Sequence, residues 1–584
     1  MSTIKENLEK LFEIKRQIAV SINNAETSIS DTDPFYDYPE AISKISTITK
    51  GGYLGSHVDE DGIWHKPEEW PDIESLPLPS DKDTVYLLFG NHITGNSFAY
   101  VEIQRKSGTL TIDRGHISNG QFIVDSNVTT GGTNYTLSEW LEDKQDDYTI
   151  YRIQATECTY IKLPSKDVTI NGITMPSTRS TCLMRYGRLS AGNTIFCTNI
   201  YIESDNICDL GINLSTNIAF NGVSGYTNCY NLQRVRLPNI NLTTRNISAT
   251  YSMFSNCFSL SDIDPDMFVG KITSIVSNIN SMFLGCISLP RINVSNWDTS
   301  NITAISSLFQ ACYNLREIKG LNTWTNLSKA TNISAMFRDC YKLKGDLDLE
   351  NFAISTQCTN VAGIFYNCSK IYSISIKGWN LSNVTSVSVM FQGCVSMMSL
   401  NMQNLTPITS TCTNASQLFY NCYALNELIL TNWNFSGITA AANIGYLIQI
   451  CYKLKRLELV NCTFPTTLTG ANTAASTVPT YNLPLLRYMD ISNINAEAFS
   501  GSTGFYTYFL SACNMLEELY PPQHLSKAFS ISNIYSLSHD SIVRIFNNLD
   551  TVTGTVKLTL GSVLLKKVSD DEKAIATGKG WTLA

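Results

Sequence analysis

The residues of this chain best suited to chemistry are its cysteines and histidines, and their spacing decides what they can do. Nine of the seventeen cysteines form one series: Cys229, Cys257, Cys286, Cys312, Cys340, Cys368, Cys394, Cys422 and Cys451. The steps between them are 28, 29, 26, 28, 28, 26, 28 and 29 residues. A structural metal site wants cysteines paired at short spacing, as in C-x-x-C, and the series offers none. The odd total and the lack of an export signal speak against a disulfide framework. The series therefore reads as a stack of small buried apolar side chains, reduced and free of metal. The histidines (His57, His65, His92, His116, His524 and His539) fit no H-E-x-x-H pattern, and there is no G-x-S-x-G elbow or phosphate loop. Asp59, Glu60 and Asp61 near His65 read as an exposed acidic turn. The expectation is a protein that is not an enzyme, with no catalytic residue, cofactor or metal. The alternative is a glycan-active enzyme with its active site in a β-rich region, because glycosidase carboxylates pair in space and show no motif.

A recurring cysteine needs a recurring element to position it. Each one is followed by an apolar residue three places on, then by two more at alternate positions, as in Cys286, Leu289, Ile292 and Val294. Cys422 with Leu425, Leu428 and Leu430, and Cys451 with Leu454, Leu457 and Leu459, repeat the pattern. Cys340 carries one inserted residue, which puts its strand at Leu347 and Leu349. Two coils follow in weaker spelling: Leu483 before Leu486, Met489 and Ile491, and Cys513 before Leu516 and Leu519. A fixed period of this length is the signature of a solenoid, here of about eleven coils. The alternating pair reads as a short half-buried strand. A turn with Asn and then an aromatic follows (Asn296-Trp297, Asn351-Phe352, Asn432-Trp433), then a polar stretch. A short helical piece then ends in a pair such as Met282-Phe283, Met336-Phe337, Met390-Phe391 or Leu418-Phe419. One coil alone cannot bury its apolar edge, so neighbours must stack.

These residues resemble the BspA-like leucine-rich repeats, whose unit runs apolar-x-x-apolar-x-apolar-x-Asn-Trp-Asp-x-Ser-Asn-Val-Thr and then Met-Phe-x-x-Cys. The match is densest over Ile292 to Cys312 and Ile374 to Cys394. It fades after Cys451, where Ala471 to Thr480 reads as a loop insertion. The resemblance implies a curved solenoid with a parallel sheet on one face, and a recognition scaffold with no single implied ligand.

The full chain, 584 residues, is too long for one core. The sequence divides into a helical attachment or oligomerisation segment (1–50), a β-rich, sandwich-like domain (51–205), the solenoid (206–530) and an α/β cap (531–584). Over residues 1–28, Ile4, Leu8, Leu11, Ile18 and Ile22 keep a heptad spacing. Such a helix either docks on its own chain or joins copies into a homo-oligomer. Gly51-Gly52 marks a linker. Strands are expected at Thr84 to Phe89, Phe98 to Gln104, Thr109 to Ile112 and Thr149 to Ile153. Trp64, Trp70 and Tyr86 either anchor that domain's core or form a glycan-stacking platform. Ser538 caps a helix carrying Ile542, Val543, Ile545 and Phe546. A strand at Val556 to Leu560 and a helix from Ser569 to Thr577, stopped by Gly578 and Gly580, complete the cap.

The formal net charge is −8, with no run of Lys or Arg, so nucleic acid is not an expected partner. No stretch has the length of a membrane span and no leader is visible, so synthesis in the cytoplasm and no membrane partner are expected. The segment Asp31 to Ile42, with its Pro39, Glu40, Ile42 and Ile45 helix, resembles a segment near the N-termini of tailed-phage tail and fibre proteins. Asp571 to Leu583 resembles the end of many phage and prophage repeat proteins. Together these imply a virion protein of a tailed phage, a tail fibre or tail-associated adhesin. The N-terminal segment would bind other virion proteins, and the solenoid a host surface glycan or protein. A bacterial surface adhesin on the same repeats is the alternative. Strand alternation turns one residue per coil outward, giving the expected receptor row Arg236, Asp264, Asn293, Lys319, Asp348, Ser375, Asn401, Ile429, Glu458, Asp490 and Tyr520.

Overall fold

A coil that buries its apolar edge only against a neighbour folds as part of a stack, and the computed structural model realises this within two compact units. One comprises Met1–Asn301 with Ser307–Trp324, the other Ile302–Ser306 with Thr325–Ala584. The structure describes residues 281–324, 326–466, 483–494 and 513–584 throughout, with shorter stretches of 57–280 and residues 480, 481 and 510. The expected attachment segment, with Ile4, Leu8, Leu11, Ile18 and Ile22, lies outside the described residues, as do Asp264, Cys229 and the side chains of Arg236 and Trp64.

In the first unit, Asp83–Gly90 pairs antiparallel with Tyr148–Leu163, which pairs antiparallel with Phe98–Ser118. The other edge of Asp83–Gly90 receives Thr181–Arg188 antiparallel. From there the strands turn parallel: Ile207–Leu214, Arg234–Arg236 and Asp262–Ile263. The expectation of a sandwich is corrected by this pairing, because seven of the strands belong to one sheet that runs on into the repeat, while two short strand pairs, His57–Val58 with Trp64–His65 and Val168–Ile170 with Ile173–Met175, stand apart from it. A turn, in which Leu76 N–H donates to Ile73 O at 3.4 Å, supplies cover where a second sheet was expected. Its Trp70, Ile73 and Leu76 are buried against Tyr86, Leu88 and Ile150. Strand spacing shows where strands are, not which edges meet. Here the antiparallel strands close the open edge that a parallel stack leaves at its start.

The repeat strands are short and parallel. Arg291–Asn293 pairs with Glu317–Lys319 in the first unit. The second unit holds Lys344–Asp348, Lys370–Ser375 and Ser399–Asn401 in one sheet. Glu427–Thr431, Arg456–Val460, Tyr488–Asp490 and Glu518–Tyr520 form another. With Arg234–Arg236 and Asp262–Ile263, the repeat strands among the described residues number four in the first unit and seven in the second, which makes eleven.

The expected helical piece before each Cys is corrected. A helix satisfies its amides within itself, whereas here they reach across to the next coil. Ala335, Phe337 and Asp339 donate to the carbonyls of Ala362, Ile364 and Tyr366 at 2.9, 2.9 and 2.7 Å. Left-handed residues make this possible: Ala335 and Asp339 have φ of 55° and 60°. The positions five before and one before each Cys repeat that geometry, from Ser252 and Asn256 to Tyr446 and Ile450. Most hold small residues or Asn, which tolerate it, while Val389 and Ile450 adopt it at a steric cost.

The core consists of columns. Phe337, Phe365, Phe391 and Phe419 stack at successive centroid spacings of 6.0, 5.5 and 5.2 Å. The indole N–H groups find carbonyls, Trp297 that of Phe268 at 2.8 Å and Trp379 that of Leu349 at 3.0 Å. The thiols of Cys286, Cys312, Cys368, Cys394, Cys422 and Cys451 each donate to the Phe carbonyl of the preceding coil. Cys368 reaches Phe337 at 3.0 Å, Cys394 reaches Phe365 at 3.2 Å and Cys422 reaches Phe391 at 3.1 Å. Among the described residues, the series cysteines from Cys257 to Cys451 are buried and form no disulfide, and the same holds for Cys358, Cys412 and Cys462, which lie outside the series.

At the C-terminal end, Ser538 caps the helix His539–Asn548, and Ser569 forms a capping box with Glu572 for Asp570–Gly578. The last repeat strand is closed by the first of these helices: Leu519 N–H donates to Ser541 Oγ at 2.9 Å. Phe529–Ser530, Val556–Thr559 and Trp581–Leu583 then form a further parallel sheet.

Candidate recognition surface

Strand alternation sends the residues between the buried pairs to the outer face, and parallel pairing sets them side by side. In the first unit, Asn293 stands opposite Lys319. In the second, Asp348, Ser375 and Asn401 are successive partners. Ile429, Glu458, Asp490 and Tyr520 are partners in the same way. Lys319, Asp348, Asn401 and Ile429 are exposed, while Ser375, Glu458, Asp490 and Tyr520 are half-buried. Asn293 departs from the expected outward row. It is only 8% exposed, because its carboxamide oxygen accepts from Ser295 N and Oγ at 3.0 and 2.6 Å.

That turn explains several members of the row. Asp490 accepts from Ser492 N and Oγ at 3.0 and 2.7 Å. Asp348 accepts from Glu350 N at 3.1 Å, and Asn401 from Gln403 N at 3.0 Å. A short acceptor that bonds the amide two residues on ends the strand. The Asn and Asp of the row thus hold turns, a role that their recurrence alone did not reveal. Beside them, Asn401 Nδ2 donates to Ser375 Oγ at 3.1 Å, and Ser375 Oγ donates to Glu350 Oε1 at 3.2 Å. Lys377 pairs with Glu350 at 3.0 Å. The Lys377 ammonium holds the Glu350 carboxyl below its usual range.

The chemically richest part of the face lies on the last strands. Arg456 contacts Glu427 at 3.2 Å, pairs with Glu458, and lies over the Tyr488 ring at 4.2 Å. Tyr488 and Tyr520 are 5.5 Å apart. Arg544, from the helix His539–Asn548, lies over Tyr520 at 4.1 Å and pairs with Glu518 at 3.0 Å. The result is an Arg–Tyr–Tyr–Arg stack flanked by carboxylates. Partial burial raises the Tyr488 phenol above its usual range, with Asp490 and Glu458 adding to the effect. Sequence reasoning named Glu458, Asp490 and Tyr520 but missed Arg456, Tyr488 and Arg544. Arg456 and Tyr488 sit two places before row members on the same strand face, so the alternation that found the row also leads to them. Arg544 has no such signal, since it comes from the cap.

The stack offers two guanidinium groups and two tyrosine rings, with the carboxylates of Glu427, Glu458 and Glu518 each paired to one of those guanidinium groups. Among the described residues, no group of three or more His, Cys, Asp or Glu is gathered as a metal requires. Trp70 and Tyr86 are buried at 2% and 1% exposure and serve as core anchors, which removes both from the glycan platform.

Comparison with known proteins adds the following. A family model described as "Mycoplasma protein of unknown function, DUF285" matches residues 248–374 and 348–449. A search of curated proteins gives no match. Six solved chains match. One is a leucine-rich repeat protein from Eubacterium ventriosum ATCC 27560, 16% identical, with 52% of this chain and 91% of that chain covered and a TM-score of 0.21. The chain is thus distantly similar to a bacterial leucine-rich repeat protein, and its central coils match a family whose description assigns no function.

Proposed function

We propose that the chain is a recognition scaffold, a tail fibre or tail-associated adhesin of a phage virion, whose outer strand face binds a host surface glycan or protein. The observation that carries the binding role is the Arg456–Tyr488–Tyr520–Arg544 stack. It is a rigid polar and aromatic patch on an open sheet face, the kind of arrangement that supplies binding hot spots. The virion assignment is supported by the terminal sequence resemblances. Residues 1–50 attach the chain to other virion proteins or to its own copies, leaving the repeats to meet the host.

The test is attachment of the purified full chain to host cells, comparing wild type with Tyr488→Ala/Tyr520→Ala. The double variant should lose at least about tenfold in attachment, the scale of one hot spot. Unchanged attachment, with tryptophan fluorescence showing intact folding, would remove the strand face from recognition.

A further inference from the structure

The turns that lead from the cysteine column into the strands carry a pattern that the strand face does not use. In six successive coils of the second unit, one large apolar side chain stands exposed there or, for Tyr372, just inside the strand. They are Tyr372, Met398, Tyr423, Tyr452, Leu485 and Met515, at 48, 52, 38, 42, 42 and 38% exposure. Backbone bonds hold these turns in register: Met398 N–H donates to Tyr372 O at 2.8 Å, and Lys453 N–H to Tyr423 O at 3.1 Å. Arg487 N–H donates to Lys455 O at 3.0 Å, and Glu517 N–H to Arg487 O at 2.9 Å. They fall in three pairs, four, one and two places after the cysteine or Leu483, so they form a staggered band along this edge, which five strand steps of about 4.8 Å make roughly 24 Å long.

Single exposed apolar residues need no explanation. A band of six on a basic edge is different. The four residues after each cysteine, or after Leu483, in these seven coils include Lys342, Lys344, Lys370, Lys453, Lys455 and Arg487. The one acid among them is Glu517, which pairs with Arg487 at 3.0 Å. Six cations less one acid give +5 over these positions, in a chain whose formal net charge is −8.

We propose that this edge of the second unit lies against a bilayer surface that carries anionic headgroups. Tyrosine rings favour the headgroup level, and lysines favour the phosphates beside it. Met398, Leu485 and Met515 present flexible apolar tips that reach below them. A sugar chain fits less well. Tyr423 and Tyr452 stack on each other at 5.3 Å and 14°, so each ring covers a face that a sugar would need. Among the described residues, no helix is long and apolar enough to cross a membrane, and peripheral contact needs none. The expectation of no membrane partner rested on the missing spans, and it is revised here for surface contact.

The experiment is co-sedimentation of the full chain with vesicles of phosphatidylcholine, alone or mixed with phosphatidylglycerol. Two variants accompany it, Lys370→Glu/Lys453→Glu/Lys455→Glu and Tyr372→Ser/Met398→Ser, each checked for folding by tryptophan fluorescence. Binding should require phosphatidylglycerol and weaken with salt. It should fall by about fivefold or more for each lysine reversed. The apolar variant should bind more weakly at every salt concentration. Absence of binding to phosphatidylglycerol vesicles, or equal binding by the lysine variant, would overturn the proposal. So would displacement of wild type by dextran sulfate with the apolar variant unaffected, since that pattern marks an anionic polymer site. Tyr488→Ala/Tyr520→Ala should retain vesicle binding, which keeps this edge distinguishable from the strand-face site.

Discussion

Raising the pH tests the cysteine column directly. Cys394 is fully buried, and burial pushes its thiol up to about 12. In the unfolded chain the same thiol titrates near ~8.5. A folded-state value raised in this way contributes stability that is whole below ~8.5 and is lost as pH climbs toward ~12. At about pH 9.5 the unfolded thiol is about nine-tenths ionised and the folded one is not, which costs about 1.4 kcal/mol. The perturbation is Cys394→Ala, which also removes the bond to the Phe365 carbonyl at 3.2 Å. At about pH 7.5 the variant should be less stable by roughly 1–2 kcal/mol, from lost packing and the lost hydrogen bond. By about pH 9.5 that gap should shrink by roughly 1.4 kcal/mol, because only wild type still has this thiol to ionise on unfolding. Urea unfolding followed by tryptophan fluorescence at the two pH values measures the gap. A gap that stays constant would show that Cys394 is accessible to solvent in the folded state, and the column argument would fail. Rapid reaction of the native repeat thiols with an aromatic disulfide reagent would refute it independently.

Four other outcomes follow from particular contacts. Ile450 sits at φ 59°, and Ile450→Asn should stabilise the chain by about 1 kcal/mol in thermal unfolding, since Asn tolerates the left-handed region. Trp379 is fully buried and donates to Leu349 O, so Trp379→Phe should cost about 1 kcal/mol and Trp379→Ala about 3–5 kcal/mol by urea denaturation. Ser541→Ala strips the acceptor from Leu519 N–H at the end of the sheet, and should cost about 1–3 kcal/mol and speed amide exchange in Glu518–Tyr520. Deleting residues 1–48 should leave a folded repeat that no longer incorporates into particles, and normal incorporation would contradict the attachment role.

The sequence alone was enough for the repeat, and the reason is periodicity. A solenoid coil meets only its neighbours, so each contact recurs at a fixed interval and is written into the chain as a column. The Cys series, the alternating strand pairs and the Asn before Trp297 and Trp433 could all be read in this way. The left-handed φ of 60° at Asn296 and at Asn432 is the turn that the Asn signalled. The capping serines Ser538 and Ser569 were legible because a cap is a local bond to an amide three residues on.

Tertiary structure decided whatever depends on which groups meet. The pair Met336-Phe337 looked helical because buried neighbours before a break suit a helix, yet Phe337 N–H bonds Ile364 in the next coil, 27 residues away. The strands of residues 51–205 announced themselves, but the sheet that joins most of them depends on pairings far apart in the chain, such as Asp83 with Ala155. The outer row was found by alternation, although its Asn and Asp serve turns through bonds that only geometry reveals. Arg544 could not be found from the repeat at all. It belongs to the cap helix and reaches the Tyr520 ring only because that helix closes the last strand. Periodic contacts survive as sequence patterns, whereas a contact made once, between elements of different kinds, leaves no trace until the chain is folded.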